Sequence, residues 1–310
     1  MLPMHDWARN RGICDLDTRR PGPLLLCTAG VHGNEPAGGE ALVRIMKDFT
    51  AKDFQRGRLL GLTGNMASLA MGERYQVHDL NRIWTKERAT RLMADPKSAM
   101  TPEEVEMAAL LPIIHHAMDQ CEGEVFFLDL HSTSGRGAPF ACCMEVTHHR
   151  QFMEGFSIPM ILGLRPRMAG TLMDYLAGFG HSAIGVEGGQ NEDADTVRCH
   201  EAVIRVAINS VGLTDEGQDK KVEESINLLK RRSEGLPPYL EVKHRYVVND
   251  GDGFVMGPGF ENFSQIKAGQ VVAHDRNGTI VAKEEGIMLF PRYQAEGADG
   301  FFLAQPTTLS

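Results

Sequence analysis

Apolar residues in this chain fall into short unbroken runs separated by stretches with helical spacing. Leu24-Leu25-Leu26-Cys27 continues into small residues, and the pattern predicts a buried strand over 24–29. Similar runs predict strands over 58–64, 125–130, 140–146, 159–162 and 182–187. Between them lie predicted helices. One begins at Pro36, a favoured first helical position, and runs to about residue 49. Thr101-Pro102-Glu103-Glu104 has the form of a capping box and opens a helix to about residue 120, which Pro112 is expected to kink or split. Residues 171–179 and 193–212 also suit helices. Strands alternating with helices predict an α/β fold: a mixed, largely parallel sheet flanked by helices. Ligands of such sheets collect at the carboxyl ends of the strands.

The texture changes after about residue 192. Residues 213–238 are charged and polar and end in Pro237-Pro238, so they read as a linker. From Tyr239 the chain is rich in Gly and in alternating apolar residues, and 271–282 reads as a hairpin turning at Asn277-Gly278. The expected organisation is therefore a catalytic domain over 1–212, a linker over 213–238 and a small C-terminal β-domain over 239–310. There is no internal repeat.

Composition narrows the function classes. The 310 residues are 42% hydrophobic, enough for a sizeable core. A net charge of −9 leaves no basic excess for nucleic acid. No run approaches the length of a membrane span, and Met1-Leu2-Pro3-Met4-His5-Asp6-Trp7 lacks the form of a signal peptide. Cys14, Cys27, Cys121, Cys142, Cys143 and Cys199 show no paired spacing and several sit in apolar runs. They read as reduced thiols of a cytoplasmic protein. A homo-oligomer is compatible with all of this.

The chemistry gathers at the strand ends. His32 and Glu35 follow the first buried strand, and Asp129 and His131 close the run from Val125. His32, Glu35 and His131 can occupy three corners of a zinc tetrahedron, with the fourth free for water, as in a catalytic site holding one ion. Asp129 lies two residues before His131, on the same strand face, and can fix the tautomer of that imidazole. Glu187 finishes Ala183-Ile184-Gly185-Val186 ahead of two glycines, where it can serve as general base and carry the proton to a leaving amine. Arg74 can polarise a scissile carbonyl, and the neighbours Asn81 and Arg82 suit a substrate carboxylate. His115-His116 on a helix cannot chelate one ion together, and His148-His149 read as surface residues.

These motifs resemble the succinylglutamate desuccinylase/aspartoacylase family, which has the zinc-carboxypeptidase fold. The likeness rests on His32-Gly33-Asn34-Glu35, on the block from Gly64-Asn65 through Arg74-Tyr75 to Asp79-Leu80-Asn81-Arg82, on Asp129-Leu130-His131-Ser132-Thr133, on 185–190, and on 260–291. The resemblance implies zinc ligands His32, Glu35 and His131, the base Glu187, the carbonyl polariser Arg74 and the carboxylate grip of Asn81 and Arg82. It also implies a C-terminal β-domain that narrows the entrance. Two departures concern the substrate. Aspartoacylase has an Arg about ten residues before the catalytic Glu, where this chain reads Asp174-Tyr175-Leu176-Ala177. The family's late Tyr is replaced by Ala298-Asp299-Gly300-Phe301. N-acetylaspartate is accordingly not the expected substrate, and Asp174 or Asp299 could meet a cationic or polar group. The reading is a zinc-dependent deacylase acting on a small N-acyl amino acid. A carboxypeptidase-type peptidase and a non-catalytic metal- or metabolite-binding protein are the alternatives.

Overall fold

A computed structural model describes residues 6–144, 150–165, 167–215, 220–249 and 251–309. Its strands are β1 (Gly12–Asp17), β2 (Leu24–Ala29), β3 (Arg58–Thr63), β4 (Val125–Thr133), β5 (Phe140–Cys143), β6 (Met160–Leu162), β7 (Ser182–Gln190), β8 (Tyr239–Val247), β9 (Val255–Met256), β10 (Gln265–Ile266), β11 (Val271–Asp275), β12 (Gly278–Val281), β13 (Gly286–Leu289) and β14 (Asp299–Pro306). The α-helices are α1 (Ala37–Ile45), α2 (Met66–Met71), α3 (Lys86–Ala94), α4 (Pro102–Asp119), α5 (Arg150–Glu154), α6 (Leu172–Ala177), α7 (Ala194–Ser210) and α8 (Lys220–Arg232).

Every residue of β2 and β4 is buried, as expected for central strands covered on both faces. Alternate side chains serve alternate faces. Leu25, Cys27, Leu128 and Ile184 pack with α1 and α7, whereas Leu24, Leu26, Phe127 and Ala183 pack with α4 and α6. Among the described residues eleven strands form one sheet in the order β1-β3-β2-β4-β7-β5-β6-β8-β14-β13-β10. β3, β2, β4 and β7 run parallel, with β1 and β5 antiparallel at their flanks. The expected α/β fold with its mixed sheet is therefore present, and β12-β11-β9 form the small antiparallel sheet near the C-terminus.

Several local expectations change. Pro112 does not split α4, which runs unbroken with Leu110, Leu111 and Ile114 anchored in one core. Only half of the capping box forms: Thr101 accepts the N–H of Glu104 at 3.2 Å, but Glu104 turns to the N–H of Met100 and to Arg88 and Arg91. Residues 220–232, inside the expected linker, form α8, which buries Leu229 in the core shared with α7. β8 pairs with β6, so the C-terminal strands extend the main sheet. The hairpin pairs Asp275 with Gly278, placing Arg276 and Asn277 at the turn and Gly278 at φ 123°. The end of the expected strand 140–146, His148, His149 and the first five residues lie outside the described residues.

Candidate metal centre and catalytic cleft

The register of the central strands decides what meets what. Ala29 lies opposite Leu130, and His131 lies opposite Glu187. The loop after β2 therefore delivers His32 and Glu35 to the spot where β4 presents His131 and β7 presents Glu187. Asp129 and His131 continue the face of Phe127, and Gly185 and Glu187 the face of Ala183, so all four point to one side of the sheet.

The loop carrying His32 and Glu35 is held by a glycine. A Cβ on Gly33 would sit 2.2 Å from the carbonyl carbon of Ser68 and 2.3 Å from the oxygen of Glu73. The backbones touch there, and the Gly33 N–H reaches the Arg74 carbonyl at 3.2 Å.

His32, Glu35 and His131 are buried, and one ligand atom from each lies within 4.8 Å of the others. Nδ1 of His32 lies 2.9 Å from Glu35 Oε1, and Nδ1 of His131 lies 2.9 Å from Glu35 Oε2. The far nitrogens are anchored. Nε2 of His32 meets Asp79 at 3.0 Å, and Nε2 of His131 meets Asp129 at 2.9 Å. With Nε2–H donated to a carboxylate, each Nδ1 keeps its lone pair for a cation between them. Thr28 donates to Asp129 from the next strand. The donor set fits a metal ion.

The electrostatics agree. Burial alone would lower the His131 pKa, but Asp129 and Glu35 overcome it and hold the imidazole well above its usual range. Burial works to raise Glu35 and Asp79, yet neighbouring positive groups hold both well below the usual carboxylate range. The centre attracts positive charge.

Glu187 is different. Burial, reinforced by the charge of Glu35 and opposed by His131, His32 and Arg74, pushes it up to about 7. Its Oε2 is shut from solvent and finds no hydrogen-bond partner among the described residues. Arg74 donates to Glu35 at 2.9 Å and to Asp79 at 3.3 Å, while its buried Nε has no partner among the described residues. Asn81 accepts the Leu172 N–H at 2.9 Å, and its amide nitrogen lies 3.1 Å from His131 Nε2 and 3.4 Å from Asp129. Arg82 is paired with Asp299 at 3.0 Å, which also takes Arg245. Asp174 lies off the cleft, 3.7 Å from Arg165. His115 bonds the Tyr175 hydroxyl at 2.8 Å and His116 is exposed, both away from the centre. All six cysteines are free, and burial pushes Cys14 and Cys143 up to about 12.

Two residues of the centre escape a reading of the sequence. Asp79 stands in the Asp-Leu-Asn-Arg block, but nothing local points it at His32, 47 positions away. His200, on α7, is buried and donates from Nε2 to the His131 carbonyl at 2.9 Å. Burial brings its pKa down to about 4 and keeps it neutral. Gly188 makes room for it, since a Cβ there would lie 2.6 Å from His200 Nε2.

The centre opens into a cleft lined by residues of the central strands and of the C-terminal segment. Its outer wall comes from the C-terminal strands, including Phe290, Asp299 and Phe302. The molecule is thus a mixed α/β protein with a buried His-Glu-His cluster, able to hold a cation, at the carboxyl ends of its central strands. The comparisons make this specific. The model of the succinylglutamate desuccinylase/aspartoacylase catalytic domain matches residues 21–205, and the chain belongs to that family, whose chemistry is hydrolytic cleavage of an amide bond. The succinylglutamate desuccinylase of Pseudomonas syringae pv. tomato is 27% identical over 288 residues, covering 88% of this chain and 80% of that protein. The enzyme of that name from Pseudomonas fluorescens Pf0-1 is 41% identical over 69 residues, 22% of this chain and 20% of that one. A solved succinylglutamate desuccinylase/aspartoacylase from Rhodobacter sphaeroides shares the fold with a TM-score of 0.68 at 17% identity, over 93% of this chain and 86% of that one. Product-bound ectoine utilization protein EutE (DoeB) from Ruegeria pomeroyi gives 0.66 at 20% identity, over 92% and 86%. Among the described residues no helix is long and apolar enough to cross a membrane.

Proposed function

We propose that this protein is a zinc-dependent amidohydrolase that removes the acyl group from a small N-acyl amino acid. The observation that carries the reading is the pair of Nδ1 atoms converging on Glu35, each imidazole anchored from behind by a carboxylate, beside a half-buried Glu187 whose solvent-shielded Oε2 has no partner among the described residues. His32, Glu35 and His131 would hold the ion. When bound, zinc supplies a Lewis acid for the amide carbonyl and lowers the pKa of water.

The chain's own groups do the rest. Glu187 Oε2 takes the proton of the attacking water and passes it to the departing nitrogen, a transfer suited to a carboxyl titrating near neutrality. The unpartnered Nε–H of Arg74 donates to the carbonyl oxygen as negative charge develops there. Asp79 and Asp129 hold the histidines in the ligating tautomer. Asn81 and Arg82 grip the carboxylate of the amino acid, and Asp299 with Arg245 fixes the angle of the Arg82 fork. The C-terminal strands narrow the entrance.

The test is metal content together with hydrolysis of N-acyl amino acids and short peptides, before and after chelation. One equivalent of zinc and chelator-sensitive release of free amino acid are expected. Activity that persists after complete metal removal would sink the reading. Faster trimming of peptides than of N-acyl amino acids would favour the peptidase alternative.

A further inference from the structure

We propose that the amino acid released by this enzyme carries an uncharged, apolar side chain, seated over Gly185 between Met173 and Cys142. This rests on the amidohydrolase reading above and names its substrate class.

Gly185 and Glu187 stand two residues apart on one face of β7, and both line the cleft. Cys142 lies beside Gly185 in the neighbouring strand β5. On the third side, Met173 Sδ accepts the Gly185 N–H at 3.1 Å, which fixes the thioether against the glycine. A Cβ built on Gly185 would meet Met173 Sδ at 3.7 Å, Met173 Cε at 3.8 Å and Cys142 Cβ at 3.9 Å. The space over the glycine is floored by backbone, with the Met173 thioether and Cys142 as the wall against it, while Asp129 faces it from β4 and repels a carboxylate. Met168, Phe290 and Phe302 continue that wall, with the two rings 5.5 Å apart. Phe290 holds a left-handed backbone at φ 53°, rare for a bulky residue, with its N–H on Asn262 Oδ1 at 2.7 Å.

The position of this wall assigns it to the amine side of the substrate. Asn81 Oδ1 binds the N–H of Leu172, the residue before Met173. In the proposed pose the carboxylate lies at Asn81 and Arg82, Glu187 meets the nitrogen, and the side chain is directed toward Met173. In that pose Arg82 takes the amino acid's carboxylate and Arg74 the carbonyl oxygen, each with carboxylates already beside it, so neither is left for a second carboxylate. An acidic side chain would lose its hydration against sulfur atoms and rings with no partner in return. Arg292 is the competing anchor for a carboxylate. It lines the outer cleft, lies 4.8 Å over the Phe254 ring and leaves a buried Nε unpaired.

The experiment is a kcat/KM panel on the metal-loaded full chain, with N-acetyl and N-succinyl derivatives of alanine, leucine, methionine, phenylalanine, aspartate, glutamate and lysine. Leucine and methionine derivatives should exceed their aspartate and glutamate counterparts by at least about tenfold. Gly185→Ala, whose added methyl fits at ordinary contact distances, raises the floor and should cut the leucine-to-alanine ratio about tenfold. An unchanged ratio in that variant overturns the proposal. So does a wild-type preference for aspartate or glutamate, and its loss in Arg292→Leu would give the side chain to Arg292. Turnover with acidic preference overturns this inference alone, whereas no turnover of any member overturns the amidohydrolase reading and this with it.

Discussion

Glu187 is the residue on which the chemistry and the stability of this protein meet. As the proposed proton carrier it must be ionised to accept a proton, so Glu187→Gln is expected to lower kcat by about 10²–10⁴-fold. The ligands His32, Glu35 and His131 are untouched by the change, so metal content should stay at one equivalent, which elemental analysis checks. Near-normal turnover would remove Glu187 from the mechanism. The same carboxyl has a cost in the metal-free protein. Its folded pKa lies above its unfolded value, at about 7, so the folded state binds a proton that the unfolded state has released. The stability this gives is present at low pH and is lost as pH rises through about 7. Melting temperatures of metal-free wild type and Glu187→Gln should therefore diverge between about pH 5 and about pH 8, with the variant higher by a few degrees at the alkaline end. Parallel curves would mean that Glu187 is not forced to ionise in a buried place. Glu187 was legible as a carboxylate ending an apolar run. Asp79 as the anchor of His32 was not, because the contact joins two loops.

At the scale of elements, the site depends on loops held down by close backbone contact. His32 and Glu35 sit on either side of Gly33, which lies against the end of α2 with no room for a methyl group. Gly33→Ala is expected to displace that loop, weaken metal binding at least about tenfold and lower the melting temperature, while the rest of the sheet keeps its circular dichroism. Metal titration with a colorimetric competitor reads the first effect, and unchanged affinity would show that the loop relaxes without moving its ligands. The pattern of the sequence placed most elements within a few residues: β2, β4 and α7 are close to their expected spans. Elements whose partners lie elsewhere in the chain were harder to read. The stretch forming α8 is mostly charged and looks like a linker, yet Leu229 on its inner face finds a core to enter. Pro112 is a local reason to break a helix, and the packing of Leu110, Leu111 and Ile114 outweighs it.

At the scale of the whole molecule, one sheet joins the metal centre to the cleft wall. β8 pairs with β6, and β14 pairs with β8, so the C-terminal strands continue the sheet that carries His131 and Glu187 rather than forming a detached cap. Leu240, Val242, Leu289, Phe302 and Ala304 enter the same core cluster as Phe127 and Leu111. A chain cut after residue 212 would leave β6 as an unpaired edge and uncover that core. It is expected to aggregate or to lack a cooperative melting transition, checked by calorimetry and light scattering. A monodisperse, cooperatively melting fragment would make 1–212 an independent domain. The cut would also remove Asp299 and Arg245, which hold Arg82, and Phe290 and Phe302, which close the cleft.

The sequence by itself determined the strand cores and the chief helix starts, and it singled out His32, Glu35, Asp129, His131 and Glu187 as strand-end groups that the fold brings to one place. The reason is that each of these follows from a pattern within a few residues: an apolar run, the polar group that ends it, and the glycine that lets backbone approach. Only the tertiary structure decided which nitrogen of each histidine faces Glu35, that Asp79 and His200 support them, and that Asp299, which also holds Arg245, reaches Arg82 across 217 positions. Those contacts are products of strand register and loop closure, and no short window of the chain contains both partners.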